Sequence, residues 1–218
     1  MKAYRIKTKT MISPFQEHPR SLPILNKPLE WHQRSVARKM GMELVDINEL
    51  DEVDGSERIV FPDHTLFTEN LIKEFVSRSR KKGTATACCL KKGCATMRSV
   101  TSTMSVLENV DNYQYELSYY PAGKGDDRLR PLVIDPDEDA EFIRFPEHVV
   151  PGGDYLAPFS TKRVIQIEHW SNLWSANVSG VMGSIQEFKS SPKLKLLGMA
   201  LRSGSSNPWK VSSKNVII

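Results

Sequence analysis

Cysteine is scarce in this sequence and poorly placed for bonding. The three cysteines, Cys88, Cys89 and Cys94, fall within seven residues, and no two have C-x-x-C spacing. An odd count that includes adjacent residues excludes a disulfide framework, and the missing spacing excludes a zinc ribbon or finger. Cys88 and Cys89, inside the strand-like "TATACCL", are expected to act as small apolar core residues. An excess of one charge is also lacking. Lysine and arginine number 30 against 26 acidic residues, a net +4, which admits an anionic ligand but is no nucleic-acid footprint. Basic residues are dispersed and not interleaved with aromatics, so no nucleic-acid partner is expected. No apolar run approaches a membrane span or the core of a signal peptide, so the chain is expected to be cytoplasmic with no membrane partner. The Asn177-Val178-Ser179 sequon is then a coincidence. Gly123-Lys124-Gly125 lacks Walker spacing and a following helix, and reads as a hairpin loop. No internal repeat is visible.

What remains is a globular composition, 39% apolar and 26% charged, on 218 residues. "AYRIKTKTMI" reads as a first strand, and a loop over 13–27 carries Pro14, Pro19 and Pro23. A helix opens at Pro28, puts Leu29, Val36 and Met40 on one side, and stops at Gly41. "MELVDI" and "RIVF" are the next strands. Thr68 then stands where a cap belongs before the apolar stripe Leu71, Ile72, Phe75, Val76, and Gly83 closes that helix. The crowd of Arg78, Arg80, Lys81 and Lys82 at its end suits the helix dipole and needs no ligand. This alternation of strand and helix implies a mostly parallel α/β sheet. The second half is β-rich: "YQYELSYY" alternates Tyr113, Tyr115, Leu117 and Tyr119 on one face, and "PLVID", "EFIRF" and "KRVIQIEHW" follow. A helix is expected over 171–183, and a short one after Ser191-Pro192 with Leu194, Leu197 and Leu201 on one side. The expected division is an α/β domain over 1–190, then a helix and connector over 191–218.

Three groups of residues invite a chemical reading. The basic loop "HPRSLPILNKPLEWHQ" runs into a helix N-terminus, a place that suits phosphate but also serves as a stiff strand-to-helix connection. Asp63 follows a strand and precedes a helix, at the sheet edge where α/β proteins bind ligands; it is either a magnesium ligand or a turn former after Pro62. Glu168-His169 offers a carboxylate and an imidazole, but neighbours on a strand point to opposite faces and do not converge. Trp170 and Trp174, four apart, share a helix face and are expected in the core.

Two of these pieces together resemble the sugar-phosphate nucleotidyltransferase (nucleotide-sugar pyrophosphorylase) family. "PRSLPILNKPLEWHQ" is similar to that family's proline- and lysine-rich run opening a helix, with Arg20 at the phosphate-contacting lysine and Lys27-Pro28 at the second Lys-Pro. "RIVFPDHTLF" is similar to the family's strand ending in Gly-Asp, with Asp63 at the magnesium-binding aspartate and Pro62 replacing the glycine. The resemblance spans about the first ninety residues. It implies a Rossmann-like nucleotide-diphospho-sugar transferase fold, with a mostly parallel central sheet and a β-rich second half. It further implies Mg2+, held by Asp63, with Arg20 and Lys27 steadying phosphate as the catalytic contacts, and a nucleotide or nucleotide-sugar as partner.

The departures are specific. "TMISPFQEH" contains no glycine where the family has its glycine-rich loop, and side chains there obstruct close approach to phosphates. The connection from Gly41 to Arg58 is too short for the family's base-recognition segments, and no second metal-binding aspartate can be placed. Two functions therefore stand. One is a divergent nucleotidyltransferase with reduced or lost catalysis. The other is a non-catalytic nucleotide-sugar-binding or structural, oligomer-supporting module. The closing "NVII" resembles the first rung of the left-handed β-helix that follows the catalytic domain in many members, which implies a longer protein and a homotrimer.

Overall fold

The computed structural model describes residues 1–9, 11–12, 16–96, 103–123, 128–144 and 156–190. Seven strands form the central sheet: β1 (Lys2–Ile6), β4 (Glu43–Ile47), β5 (Arg58–Pro62), β7 (Thr86–Lys91), β8 (Leu107–Glu108), β9 (Asn112–Tyr120) and β10 (Arg130–Ile134). Three small ladders surround it: β2 (Pro23–Ile24) with β3 (Lys27–Pro28), β6 (Thr65–Phe67) with β13 (Val164–Gln166), and β11 (Glu141–Arg144) with β12 (Leu156–Phe159). The helices are α1 (Leu29–Lys39), α2 (Glu69–Lys82) and α3 (Trp170–Ser190). The sheet order is β10-β7-β9-β5-β1-β4, with β8 beside β9. β1 is parallel to β4 and β5, β10 is parallel to β7, and β9 is antiparallel to β5, β7 and β8. Only β9 therefore opposes the common direction, and the expected mostly parallel α/β sheet is what forms.

One face of the sheet carries the core. Ala3, Ile59, Phe61, Leu117 and Tyr119 pack with Leu29 and Val36 of α1 and with Leu71, Ile72 and Phe75 of α2. Side chains of this size contribute about 1.5–3 kcal/mol each on full burial. The alternation in β9 works as its sequence implies, with Tyr115, Leu117 and Tyr119 buried and Glu116 exposed between them. The other face has a much smaller cluster, Tyr4, Ile47 and Val60, flanked by Ile6, Val45, Val53 and Tyr120. That imbalance leaves room above the second face. Cys88 and Cys89 are wholly buried and unbridged, as small apolar residues should be.

Gly83 ends α2 in the left-handed conformation (φ 61°), as its position implies. Thr68 precedes α2 but does not cap it: its hydroxyl donates to the Thr161 carbonyl at 2.6 Å instead, because the 161–163 segment runs alongside the helix start. The proline-rich loop contains the β2–β3 hairpin, whose turn residues Leu25 and Asn26 both have positive φ (49° and 59°). A leucine is costly there. Asn177 of α3 supports it, accepting from Leu25 N at 2.9 Å and donating to Pro23 O at 3.3 Å. The sequon asparagine is thus a packing residue.

α3 is longer than the expected 171–183. Its inward side is Asn172, Ala176 and the Asn177–Gly180 edge under Leu25, so Trp170 and Trp174 lie on a neighbouring side, 49% and 61% exposed. The expectation that they fill the core is overturned: the close approach of Leu25 at Gly180 decides which side of the helix docks. Residues 191–218, with the expected second helix, connector and β-helix rung, lie outside the described residues.

Candidate functional site

A cleft of about 430 Å3 opens on the second face of the sheet, near the strand ends where β1 and β5 finish. Ile6, Val60, Pro62, Leu50, Leu107 and Tyr120 give it apolar walls, and Thr8, Ser105, Gln114, Glu116 and Ser118 supply polar groups. Mostly apolar walls with a few polar groups are what a small-molecule site needs. The carboxyl ends of parallel strands are also where such sheets bind ligands.

Asp63 lies directly behind the cleft. Its carboxylate is 1% exposed; Oδ1 accepts from Thr8 N at 3.2 Å and Thr8 Oγ1 at 2.7 Å, and Oδ2 faces His18 Nε2 at 3.5 Å. His18 also bonds the Thr8 carbonyl through Nε2, at 2.9 Å. On the other side, His64 Nδ1 lies 3.5 Å from Thr8 Oγ1, and its Nε2 lies 3.5 Å from Glu168 Oε1. Glu168 Oε2 accepts from Ser105 N at 2.6 Å. Burial pushes Glu168 up, but the His64 ring and the Ser105 amide outweigh it and hold the group below the usual value. The network His18–Asp63–Thr8–His64–Glu168–Ser105 therefore fixes two cleft residues, Thr8 and Ser105, from behind. His169 turns elsewhere, to Ser171 Oγ at 2.8 Å, so Glu168 and His169 do not converge.

The basic residues of the loop are arranged differently from each other. Arg20 is held by Glu30 at 2.8 Å and Asp46 at 3.2 Å. Asp46 also forks Arg5, which is fully buried, at 2.6 and 3.0 Å, and Arg5 reaches Gln33 at 3.0 Å. The Arg5 bond, with Arg20 adding to it, holds the Asp46 carboxyl below its ordinary value. Lys27 is exposed, with Nζ 5.9 Å from the Trp31 ring centre. Neither Arg20 nor Lys27 lines the cleft.

Whether these residues suit a magnesium ion can be judged from the donors. Mg2+ keeps several waters and takes one or two accessible carboxylates. Asp63 is one buried carboxylate already engaged by Thr8 and His18, which does not fit that demand. Cys94, Asp135 and Asp137 also cluster, at the ends of β7 and β10. There Asp137 accepts from Ala95 N, Thr96 N and Thr96 Oγ1, and Asp135 pairs with Lys91 at 2.7 Å. Burial, with the nearby aspartates, pushes the Cys94 thiol up to about 12, so it carries its proton at neutral pH. This group is a loop clasp.

Thr8, His18, His64 and Ser105 were not marked as site residues by the sequence. Their partners are up to 63 positions away, and neither histidine has ligand spacing. No family model matches the chain, and no curated protein matches it in sequence. Solved structures resemble it in overall trace. HddC from Yersinia pseudotuberculosis complexed with GMP-PN has a TM-score of 0.46 and 11% identity, covering 82% of this chain and 99% of that one. A putative glucose-1-phosphate thymidylyltransferase from Bacillus anthracis in complex with a sucrose gives 0.47 and 8%, covering 81% and 94%. An apo UDP-glucose pyrophosphorylase gives 0.45 and 8%, covering 82% and 98%. The fold class itself rests on the strand order and directions given above. No described helix is long and apolar enough to cross a membrane.

Proposed function

We propose that this is a nucleotidyltransferase-like domain that binds a nucleotide or nucleotide-sugar and has reduced or lost turnover. The observation that carries the reading is the cleft at the β1 and β5 ends, with its apolar walls and the pinned hydroxyl of Thr8. Tyr120 offers a ring and Gln114, Glu116 and Ser118 offer hydrogen-bonding groups, a combination suited to a planar polar ring with a sugar attached. Arg20, Lys27 and Asp63 keep the places of the phosphate and metal contacts that the resemblance implies. In our reading they now serve the fold: Arg20 is neutralised by two carboxylates, Lys27 faces solvent beside Trp31, and Asp63 clamps Thr8. Any magnesium is then brought by the ligand's own phosphates. Fold alone does not preserve activity.

The test is a thermal-shift and calorimetry screen of nucleoside triphosphates and nucleotide-sugars, with and without magnesium. A ligand at about 100 times its Kd adds about 2.7 kcal/mol, or roughly 5–11 °C for a chain of this size. Ser118→Trp, which fills the cleft from an exposed-side strand position, should abolish the shift. The reading fails if no nucleotide shifts the protein, or if the shift survives Ser118→Trp. Pyrophosphate release at the rate of a working transferase would refute the loss of turnover alone.

A further inference from the structure

Among the described residues that line the cleft, Glu116 of β9 is the single charged one. It is exposed, and among the described residues its carboxylate has no hydrogen-bond or ion-pair partner. The sheet is irregular where it stands. Ala87 of β7 pairs with Ser118, and Cys89 pairs with Gln114, so Cys88 alone faces the three residues 115–117 of β9. Glu116 is the middle one of the three. Such a bulge gives up ladder bonds and re-aims side chains, and bulges recur beside ligand sites. Gln114 and Ser118 flank Glu116 in the cleft wall, and the Gln114 amide is likewise unengaged among the described residues. Opposite Gln114, Leu107 of β8 is 66% exposed and offers an apolar face beside these polar groups.

An ionised carboxylate only accepts hydrogen bonds, so whatever lies against Glu116 must donate. The nucleobases differ sharply in this respect. Guanine presents two adjacent donors, N1–H and its 2-amino group, which match the two oxygens of one carboxylate in parallel charge-assisted bonds. Adenine and cytosine set an amino group beside an acceptor nitrogen, and uracil sets one N–H between two carbonyls. Each of these would hold an acceptor against the carboxylate, which is repulsive and leaves both groups unpaired. We propose, resting on the nucleotide reading above, that Glu116 makes the cleft selective for guanine. Its carboxylate accepts from N1–H and the 2-amino group, Gln114 supplies a donor for the 6-oxo group, and Leu107 covers a face of the ring. No described cation lines the cleft, so it takes the base and sugar while the phosphates lie outside it. β5 lies between β9 and β1, and the sugar accordingly extends from Glu116 towards Thr8.

The full chain is titrated by calorimetry with GTP, ITP, ATP, CTP and UTP at one fixed magnesium concentration. GTP is expected to bind at least tenfold more tightly than ATP, CTP or UTP, the discrimination of one good bidentate pair. ITP, which lacks the 2-amino group, should bind about fivefold more weakly than GTP. Glu116→Gln is a change of the same shape at an exposed position, so the fold is retained. It should weaken GTP at least tenfold and favour XTP over GTP, because the new amide donates to the 2-oxo group of xanthine while its oxygen accepts from N1–H. A purely structural Glu116 would move neither preference. Equal binding of the triphosphates in wild type overturns the guanine assignment and leaves the nucleotide reading standing. So does a GTP preference that Glu116→Gln leaves intact, or a variant that still favours GTP over XTP. Binding of none of them by wild type overturns both.

Discussion

Replacing Asp63 with alanine separates a structural clamp from a metal ligand by the sign of its effect. The carboxylate is 1% exposed and accepts two bonds from Thr8, at 2.7 and 3.2 Å, with His18 at 3.5 Å. A hydrogen bond to a charged group contributes about 1.5–3 kcal/mol, and each donor left buried without a partner costs about 1–3 kcal/mol more. Thr8 is only half-buried, so water recovers part of this, and removing a buried carboxylate refunds some desolvation. The net expectation is a loss of about 3 kcal/mol, or roughly 6–12 °C in Tm for a chain of this size. Asp63→Asn keeps an acceptor for Thr8 and should lose about half as much, at the weaker strength of a neutral bond. Thr8→Val removes the same hydroxyl bond from the other side, so the double variant should fall short of the sum by about 1–2 kcal/mol. Urea titration of wild type and the four variants gives these values directly. A carboxylate kept for a metal behaves oppositely, because its removal without metal relieves an uncompensated charge. An Asp63→Ala protein within about 0.5 kcal/mol of wild type, or more stable than it, would falsify the clamp.

Other expectations follow from the same contacts. Lys162→Met should cost about 3 kcal/mol by urea titration, because Glu74 and Asp139 lose a nearly buried partner. Burial pulls Lys162 down but the bonds from Asp139 and Glu74 outweigh it, so its folded value is raised; its contribution should persist below about pH 10 and fade as pH rises further, and Lys162→Met should lose that alkaline slope. Asp46, held low first by Arg5, contributes stability that is present above its ordinary value of 3.8 and lost as pH falls through the folded value; Asp46→Asn should flatten the acid limb of a stability profile. Burial raises all three thiols, Cys89 to about 11 and Cys94 to about 12, so native protein at pH 8 should resist a thiol reagent that reacts three times after denaturation.

The elements that were legible in the sequence are those whose residues carry a local period or a local stop. α2 shows both: the Leu71, Ile72, Phe75, Val76 stripe is its buried side, and Gly83 takes the left-handed conformation that ends it. β9 shows the period of two, and the strand–helix alternation of the first ninety residues implies the common strand direction. What was not legible depends on contacts between distant segments. The Trp170 and Trp174 pair has the spacing of a buried face, yet Leu25, more than 140 residues earlier, approaches Gly180 and turns another side of α3 inward. Thr68 has the residue type and position of a cap, but the 161–163 backbone offers its hydroxyl a competing acceptor.

The candidate site shows the same limit in a form that bears on function. Sequence marks positions, and Arg20, Lys27 and Asp63 stand where the resembling family has its phosphate and metal contacts. Whether a charged side chain is available to a ligand depends on what opposes it, and those groups come from elsewhere in the chain. Arg20 meets Asp46 from β4 and Glu30 from α1, and Asp63 meets Thr8 from beyond β1. A cation whose charge is already balanced by carboxylates holds the fold together. Arg20→Ala should therefore cost stability, because Asp46 and Glu30 lose a partner, and leave any binding of inorganic phosphate unchanged; phosphate binding lost in a variant as stable as wild type would return Arg20 to the role the resemblance implies.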